Sequence, residues 1–367
     1  MTARKTARTL RSVGQLRDAG LLPASPAGRT QVNLAALEQV AARYAVAITP
    51  AMAALIDRND PADAIARQFI PDAAELSTRP EERADPIGDD TSSPVEGVVH
   101  RCPDRALLKL VHTCPVYCRF CFRREMVGPR GRGGLTARMR EAAYAYIRTR
   151  REIWEVILTG GDPLVLNPAN LRDVMRTLAA IDHVKVIRIH TRVPAVAPER
   201  ISAAMVAALT APGSTTYVAL HANHPRELTA SARAACARIV DAGIPMLSQS
   251  VLLRGINDDI ETLAALMRAF VECRVKPYYL HHPDLAPGTS HLRVSVAEGQ
   301  ELVRQLQGRL SGLCQPAYML DIPGGAGKVP IGPAYISPAE DGAPQGNHRV
   351  RAPDGTLHAY PPFCGGE

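Results

Sequence analysis

The sequence predicts an α/β fold: a curved, partial (βα)6 TIM-like barrel of parallel strands, preceded by a helical N-terminal extension. Three observations predict it. Six short runs rich in Val, Ile and Leu recur along the chain. Helix-type segments of about 10–15 residues separate most of them, the pattern of parallel strands covered by helices. Each run also ends in a polar tail, and serial βα units gather such tails at one mouth of the barrel.

Residues 1–95 read as the extension and its connector. "NLAALEQVAARYAV" and "TPAMAALIDR" place apolar residues three and four apart, the helical period. Thr78–Gly97, rich in Pro, Asp and Ser, reads as a connector. The expected core, residues 96–336, carries the strand runs "ALLKLVHT", "WEVILTGGDP", "VKVIRIHTRVP", "TTYVALHANHP", "IPMLSQSVLLRG" and "VKPYYLHH". Between them lie "NLRDVMRTLAAI", "ERISAAMVAALT", "RELTASARAACARIVDAG" and "DIETLAALMRAFVEC", each suited to a covering helix. Residues 337–367 are left as a C-terminal tail.

With 367 residues, 46% hydrophobic and 22% charged, the chain can bury a large core. No run of 18 apolar residues offers a membrane span. The basic start "MTARKTARTLRSVGQLRDAG" lacks the apolar segment of a secretory signal, so a cytoplasmic protein is expected. The net charge of +7 is spread along the chain rather than blocked, which gives no evident nucleic-acid surface but suits a cleft for anionic ligands. Eight cysteines without an export signal argue against a disulfide framework. Cys102, Cys236, Cys273, Cys314 and Cys364 are dispersed and read as ordinary small residues.

The other three are clustered. Cys114, Cys118 and Cys121 fall in "LVHTCPVYCRFCFRR" at C-x3-C-x2-C spacing, directly after the first strand run. Structural zinc calls for four ligands, and a redox pair needs only two. A [4Fe–4S] cluster on three thiolates would leave one iron open for a ligand. A second anchor is "YMLDIPGGAGKVPI". It is not a phosphate-binding P-loop, because Ile322 stands at the first glycine position and Val329 follows the lysine. A lysine presented by backbone that approaches a ligand closely could instead form a Schiff base with pyridoxal phosphate (PLP).

The cysteine spacing, with "TGGDP" after the next strand, resembles the radical S-adenosylmethionine (SAM) enzymes. Together with the lysine motif it resembles the lysine 2,3-aminomutase family. So do "HTRVPAVAPERI", "HANHPREL", "SQSVLLRGIND" and "PYYLHHPDLAPGTSH", in that family's order, over about residues 60–336. The resemblance implies a radical SAM barrel holding a [4Fe–4S] cluster on Cys114, Cys118 and Cys121. Gly160, Gly161, Asp162, Arg192, His221 and Gln249 would contact SAM. Lys328 would carry PLP, with Arg101 and Arg105 on its phosphate and ring substituents. Arg123 would take the substrate carboxylate, and Asp284 and Asp321 the ε-ammonium of lysine.

The implied reaction converts L-α-lysine to β-lysine, with an electron donor such as flavodoxin or ferredoxin. Alternatives are an (R)-β-lysine-forming mutase serving elongation factor P modification, or a mutase acting on another amino acid such as arginine. Glutamate is disfavoured by the two aspartates. Longer members carry an intersubunit zinc site; here its internal position is Asp259, so a homo-oligomer without that zinc is expected. Cys102 stands where the family places an aromatic residue beside PLP.

Overall fold

The computed structural model describes residues 8–22, 33–128, 133–338 and 348–361. Cys364 lies outside them. The extension contains α1 (Val13–Asp18), α2 (Leu34–Arg43), α3 (Pro50–Ala53) and α4 (Ala66–Phe69), then a 3-10 turn, Ala73–Leu76. Each of the first three starts on a side chain that accepts from the first turn: Ser12, Asn33 and Thr49. In α2, Ala36, Leu37 and Val40 are buried at helical spacing, as the periodicity requires.

Nine strands then form one sheet in sequence order: β1 (Val98–Cys102), β2 (Arg105–Val111), β3 (Glu155–Gly160), β4 (Val186–Thr191), β5 (Thr215–His221), β6 (Met246–Val251), β7 (Val275–His281), β8 (Ala317–Ile322) and β9 (Gly327–Pro330). From β2 to β8 neighbouring strands are parallel, whereas β1 and β9 pair antiparallel at the two edges. The parallel part therefore has a seventh strand beyond the six expected. It is β8, whose "AYMLDI" is only six residues long and runs straight into the glycine-rich turn.

Helices α5 (Ala137–Thr149), α6 (Pro168–Ala179), α7 (Val193–Val196), α8 (Ala203–Ala208), α9 (Ala230–Asp241), α10 (Ile260–Glu272) and α11 (Val296–Arg309) intervene. Most begin on a capping side chain: Thr136, Asn167, Ser202, Thr229, Asp259 and Ser295. Asp259 thus has a local task, accepting from Thr262 N at 2.8 Å. In α6 the buried Leu171, Val174, Met175 and Leu178 form the stripe that packs inward.

The sheet is an open barrel, and its two edges approach each other. Arg101 on β1 comes within 3.6 Å of Asp321 on β8. A Cβ on Gly88, in the connector ahead of β1, would lie 2.7 Å from backbone atoms of Gly324 and Gly325, beyond β8. Only glycine at 88 tolerates that approach, while Gly324 and Gly325 are required by their positive φ. Strand alternation then divides the side chains. Ala106, Leu108 and Leu110 of β2 join the core under the helices, while Lys109 falls on the inner face, in register with Thr159.

The tail forms a separate three-stranded antiparallel sheet: β10 (Ile336–Pro338), β11 (His348–Arg351) and β12 (Leu357–Tyr360). No helix among the described residues is long and apolar enough to cross a membrane.

Candidate active site

The inner wall of this barrel is polar, where a parallel barrel is ordinarily packed with branched aliphatics. Lys109, Thr159, Arg188 and Gln249 are all buried, and His190 and His221 lie 5.2 Å apart by ring centroid. His190 Nε2 and His221 Nε2 are buried with no hydrogen-bond partner. Such orphaned groups are costly unless a ligand satisfies them. Burial, then the charges of His281, Arg192 and Arg123, lowers the His221 pKa to about 3, so the ring stands neutral.

The cysteine loop follows β2 at the mouth. The three thiols are close enough to raise one another's pKa: that of Cys114 is pushed up by burial, then by Asp162, Cys121 and Cys118. The Cys121 thiol is pushed up to about 11 by burial and then by Cys118. At Cys118 burial also raises the pKa, against the charge of Arg192, which donates to Sγ from Nη1 at 3.0 Å. Among the described residues no three His, Cys, Asp or Glu converge on a single ion. A cubane spreads its thiolates over separate irons, so this donor set suits a cluster rather than one metal ion. Bound iron would supply the ionisation that burial opposes.

The next loop is built against the cysteine loop. A Cβ on Gly161 would lie 2.2 Å from Thr113 O, so "TGGDP" can pack only as glycine there. Asp162 accepts from Leu164 N at 3.0 Å, Thr191 Oγ1 at 2.8 Å and Arg192 N at 2.8 Å, tying the β3 and β4 loops together. His221 and Gln249 face each other in register on β5 and β6. Gly160, Gly161, Asp162, Arg192, His221 and Gln249 thus gather at one mouth with the cysteines.

Lys328 sits opposite Asp321 across the β8–β9 hairpin. Its ammonium forms an ion pair with Asp321 and lies 3.2 Å from His281 Nδ1. Burial opposes ionisation of Asp321, but the His281 hydrogen bond and the Lys328 charge win, and its pKa is lowered. Asp284, after β7, goes the other way: burial and then the Asp321 charge raise its pKa to about 7. The two aspartates therefore sense each other, beside Lys328. Arg105 lies at the opposite end of β2 from the cysteines, 2.8 Å from Asp104, while Arg101 reaches Asp321 and donates to Ile87 O.

Several site residues escaped the sequence reading, and most lie in the extension. Glu75, fully buried, accepts from Arg119 Nε at 2.9 Å and Nη2 at 2.6 Å, and from Arg124. Both arginines belong to the cysteine loop. Gln68 joins Arg192 (3.1 Å), Glu227 (3.0 Å) and Asn223 (3.1 Å) in a buried network behind Cys118. The Thr78–Gly97 stretch also does more than connect, because Asp89 accepts from Arg123 Nε at 2.9 Å. Burial alone would raise the Asp89 pKa; Arg123, then Lys109 and Arg101, hold it below its ordinary value.

Comparison with known proteins places this geometry. Residues 108–267, from β2 into α10, match the Radical SAM superfamily. The L-lysine 2,3-aminomutase of Clostridium subterminale is 40% identical over 291 residues, 79% of this chain and 70% of that protein. The chain belongs to the lysine 2,3-aminomutase family of radical SAM enzymes. It is therefore an aminomutase, an isomerase working on an amino acid with an iron–sulfur cluster and SAM. The family is not uniform in substrate: the glutamate 2,3-aminomutase of Clostridioides difficile is 35% identical over 300 residues, 82% of this chain and 70% of that protein. Among solved structures, a radical SAM methyltransferase from Sphaerobacter thermophilus aligns with a TM-score of 0.44 at 22% identity, over 61% of this chain and 68% of that one.

Proposed function

We propose that the chain is an L-lysine 2,3-aminomutase, converting L-α-lysine to β-lysine with a [4Fe–4S] cluster, SAM and PLP. The observation that carries this reading is the acidic pair Asp284 and Asp321 beside Lys328 in a polar lumen. A buried ammonium needs counter-charge, and two carboxylates at one end of the pocket supply it. The same pair would repel the side chain of glutamate.

Cys114, Cys118 and Cys121 would hold the cluster, with Arg192 donating to one of the sulfurs. The open mouth around Gly160, Gly161, Asp162, Arg192, His221 and Gln249 would receive SAM, and the partnerless His221 Nε2 fits a ligand there. Lys328 would carry PLP. Its turn suits the approach of a flat ring, and Arg101 and Arg105 are the cations offered to an anionic phosphate. When bound, the cluster and SAM supply the radical that takes a hydrogen from Cβ, and PLP carries the migrating nitrogen.

The residues of the chain bind, orient and exclude. Arg123 would fix the substrate carboxylate and the aspartates its far end, so that Cβ faces the SAM mouth. Asp321, already paired with Lys328 and Arg101, would share its carboxylate between those cations and the substrate ammonium, with Asp284 as the second acceptor. The enclosing barrel keeps water from the reacting atoms.

The test is anaerobic reconstitution with iron, sulfide and PLP, then incubation with SAM, dithionite and lysine, arginine or glutamate in separate reactions. β-Lysine should form, and the Asp284→Asn/Asp321→Asn variant should keep its cofactors while losing it. Conversion of another amino acid in preference to lysine would overturn the assignment.

A further inference from the structure

Arg123 is already neutralised in this structure. Its Nε edge is held by Asp89 at 2.9 Å, and its Nη1 lies 3.5 Å from Thr159 Oγ1. Both side chains are largely buried, at 12% and 7% exposure. A neutral ion pair has little charge left with which to hold an incoming carboxylate. Yet the same wall carries another cation. Lys109 is 6% exposed, sits on the inner face of β2, and is in register with that same Thr159. Its charge acts on Asp89, which it helps to hold ionised, without a hydrogen bond to it. Asp89 is shared between Lys109 and Arg123, so this wall keeps an excess of positive charge that an anionic ligand would offset.

We infer that Lys109, Arg123 and Asp89 form one carboxylate-reading subsite, in which Lys109 supplies the surplus positive charge. Two cations and one anion leave a net charge of one, which a single carboxylate cancels. Asp89 fixes the Nε edge of the Arg123 guanidinium, so that its terminal nitrogens face the lumen. Asp89 Oδ1 is itself buried without a hydrogen-bond partner, which leaves it able to accept from Lys109 until the ligand arrives. Arg101 does not supply the surplus, because it is turned to Asp321 and Ile87 O. Lys109 is thus a specificity-determining residue for the amino-acid carboxylate. The inference rests on the amino-acid site proposed above, but not on lysine being the occupant.

The experiment uses the reconstituted holoenzyme with whichever amino acid it converts, together with that amino acid's carboxamide. In Lys109→Met, KM for the amino acid should rise by about 10- to 10²-fold, the usual cost of losing a hydrogen bond to a charged group. The preference for acid over amide should fall by a similar factor. Lys109→Arg, which keeps the charge, should retain most of that preference. KM for SAM, iron content and PLP content should stay at wild-type values. A lost preference in Lys109→Met that Lys109→Arg fails to restore would overturn the charge argument. So would an unchanged acid-to-amide preference in Lys109→Met. A rise in KM for SAM instead would mean that Lys109 reads the carboxylate of SAM, and would overturn the assignment to the substrate. None of these outcomes turns on which amino acid is used, so a failure of the lysine reading remains distinct.

Discussion

Glu75→Gln removes the one negative charge that lies between Arg119 and Arg124, with almost no change in shape. The carboxylate accepts from both arginines and from Asp72 N at 2.8 Å. Glu75 is fully buried, Arg119 is 1% exposed and Arg124 is 7% exposed. Breaking a buried pair by removing one partner costs about 3–5 kcal/mol, because the other charge stays buried and unpaired. Taking about 2.1 cal/mol/K per residue for the unfolding entropy, that cost lowers the melting temperature of a chain this size by roughly 4–6 °C. The two arginines flank Cys121, so the cysteine loop should loosen first and iron content should fall with stability.

Differential scanning fluorimetry of the apoprotein, with iron analysis after anaerobic reconstitution, measures both. Adding Arg124→Met to Glu75→Gln should recover part of the loss, since it removes one stranded cation. The pH dependence gives an independent check. At Glu75 burial raises the pKa, but Arg119 and then Arg124 bring it below the ordinary value. The stability it contributes is therefore present above the unfolded pKa of about 4.3 and is lost as pH falls through the lower folded value. Glu75→Gln should flatten that acid limb. A variant that melts like wild type and loads full iron would refute the clamp.

Three further outcomes are expected. Cys114→Ala, Cys118→Ala and Cys121→Ala should each lose the iron–sulfur absorbance and reductive SAM cleavage; a full cluster in any one would remove that residue from the ligand set. Lys328→Ala should lose borohydride-trapped PLP at its peptide while keeping its iron, and trapping at the same peptide would disprove the role. Because the Asp284 pKa is raised to about 7, KM for lysine should fall as pH rises through that value and the carboxylate ionises. The same raised pKa costs stability progressively from about pH 4 up to about pH 7, the reverse of the usual aspartate. Asp284→Asn should abolish both trends, and a persisting KM trend would assign the titration elsewhere.

The cysteines, "TGGDP" and the lysine turn were legible because their chemistry sits within a few residues of chain. Spacing alone carries three thiols in one short loop, and glycines mark where backbone must approach backbone, as at Gly161 and Thr113 O. The βα rhythm was legible because buried parallel strands are continuously apolar. Strand β8 blurred that rhythm, since it is short and merges with a motif that reads as a turn. Glu75, Gln68 and Asp89 were not legible. Each is a single polar residue in a polar stretch, and its partner lies far along the chain: Arg119 for Glu75, Glu227 for Gln68, Arg123 for Asp89. Lys109 was hidden differently, inside "ALLKLV", where one lysine in an apolar run looks like a strand-edge residue until the register turns it inward.

These long-range partners change what the extension is for. Three of its segments meet the loops at the barrel mouth at separate points. Ala45 O accepts from Arg119 Nη1 at 2.9 Å and Ala47 O from Tyr117 N at 3.1 Å. Gln68 and Glu75 hold the buried arginines behind the cysteines. Gly88 and Asp89 then run between the lysine turn on one side and Arg123 on the other. An open sheet with antiparallel edges cannot close itself, because β1 and β9 are not hydrogen-bonded to each other. Residues 85–89 fill that gap: Pro86 O accepts from Gly324 N at 3.2 Å, Gly88 packs on Gly324 and Gly325, and Asp89 holds Arg123. The extension therefore ties the cysteine loop and Arg123 to the Lys328 turn across the one side that the hydrogen bonds of the sheet leave open.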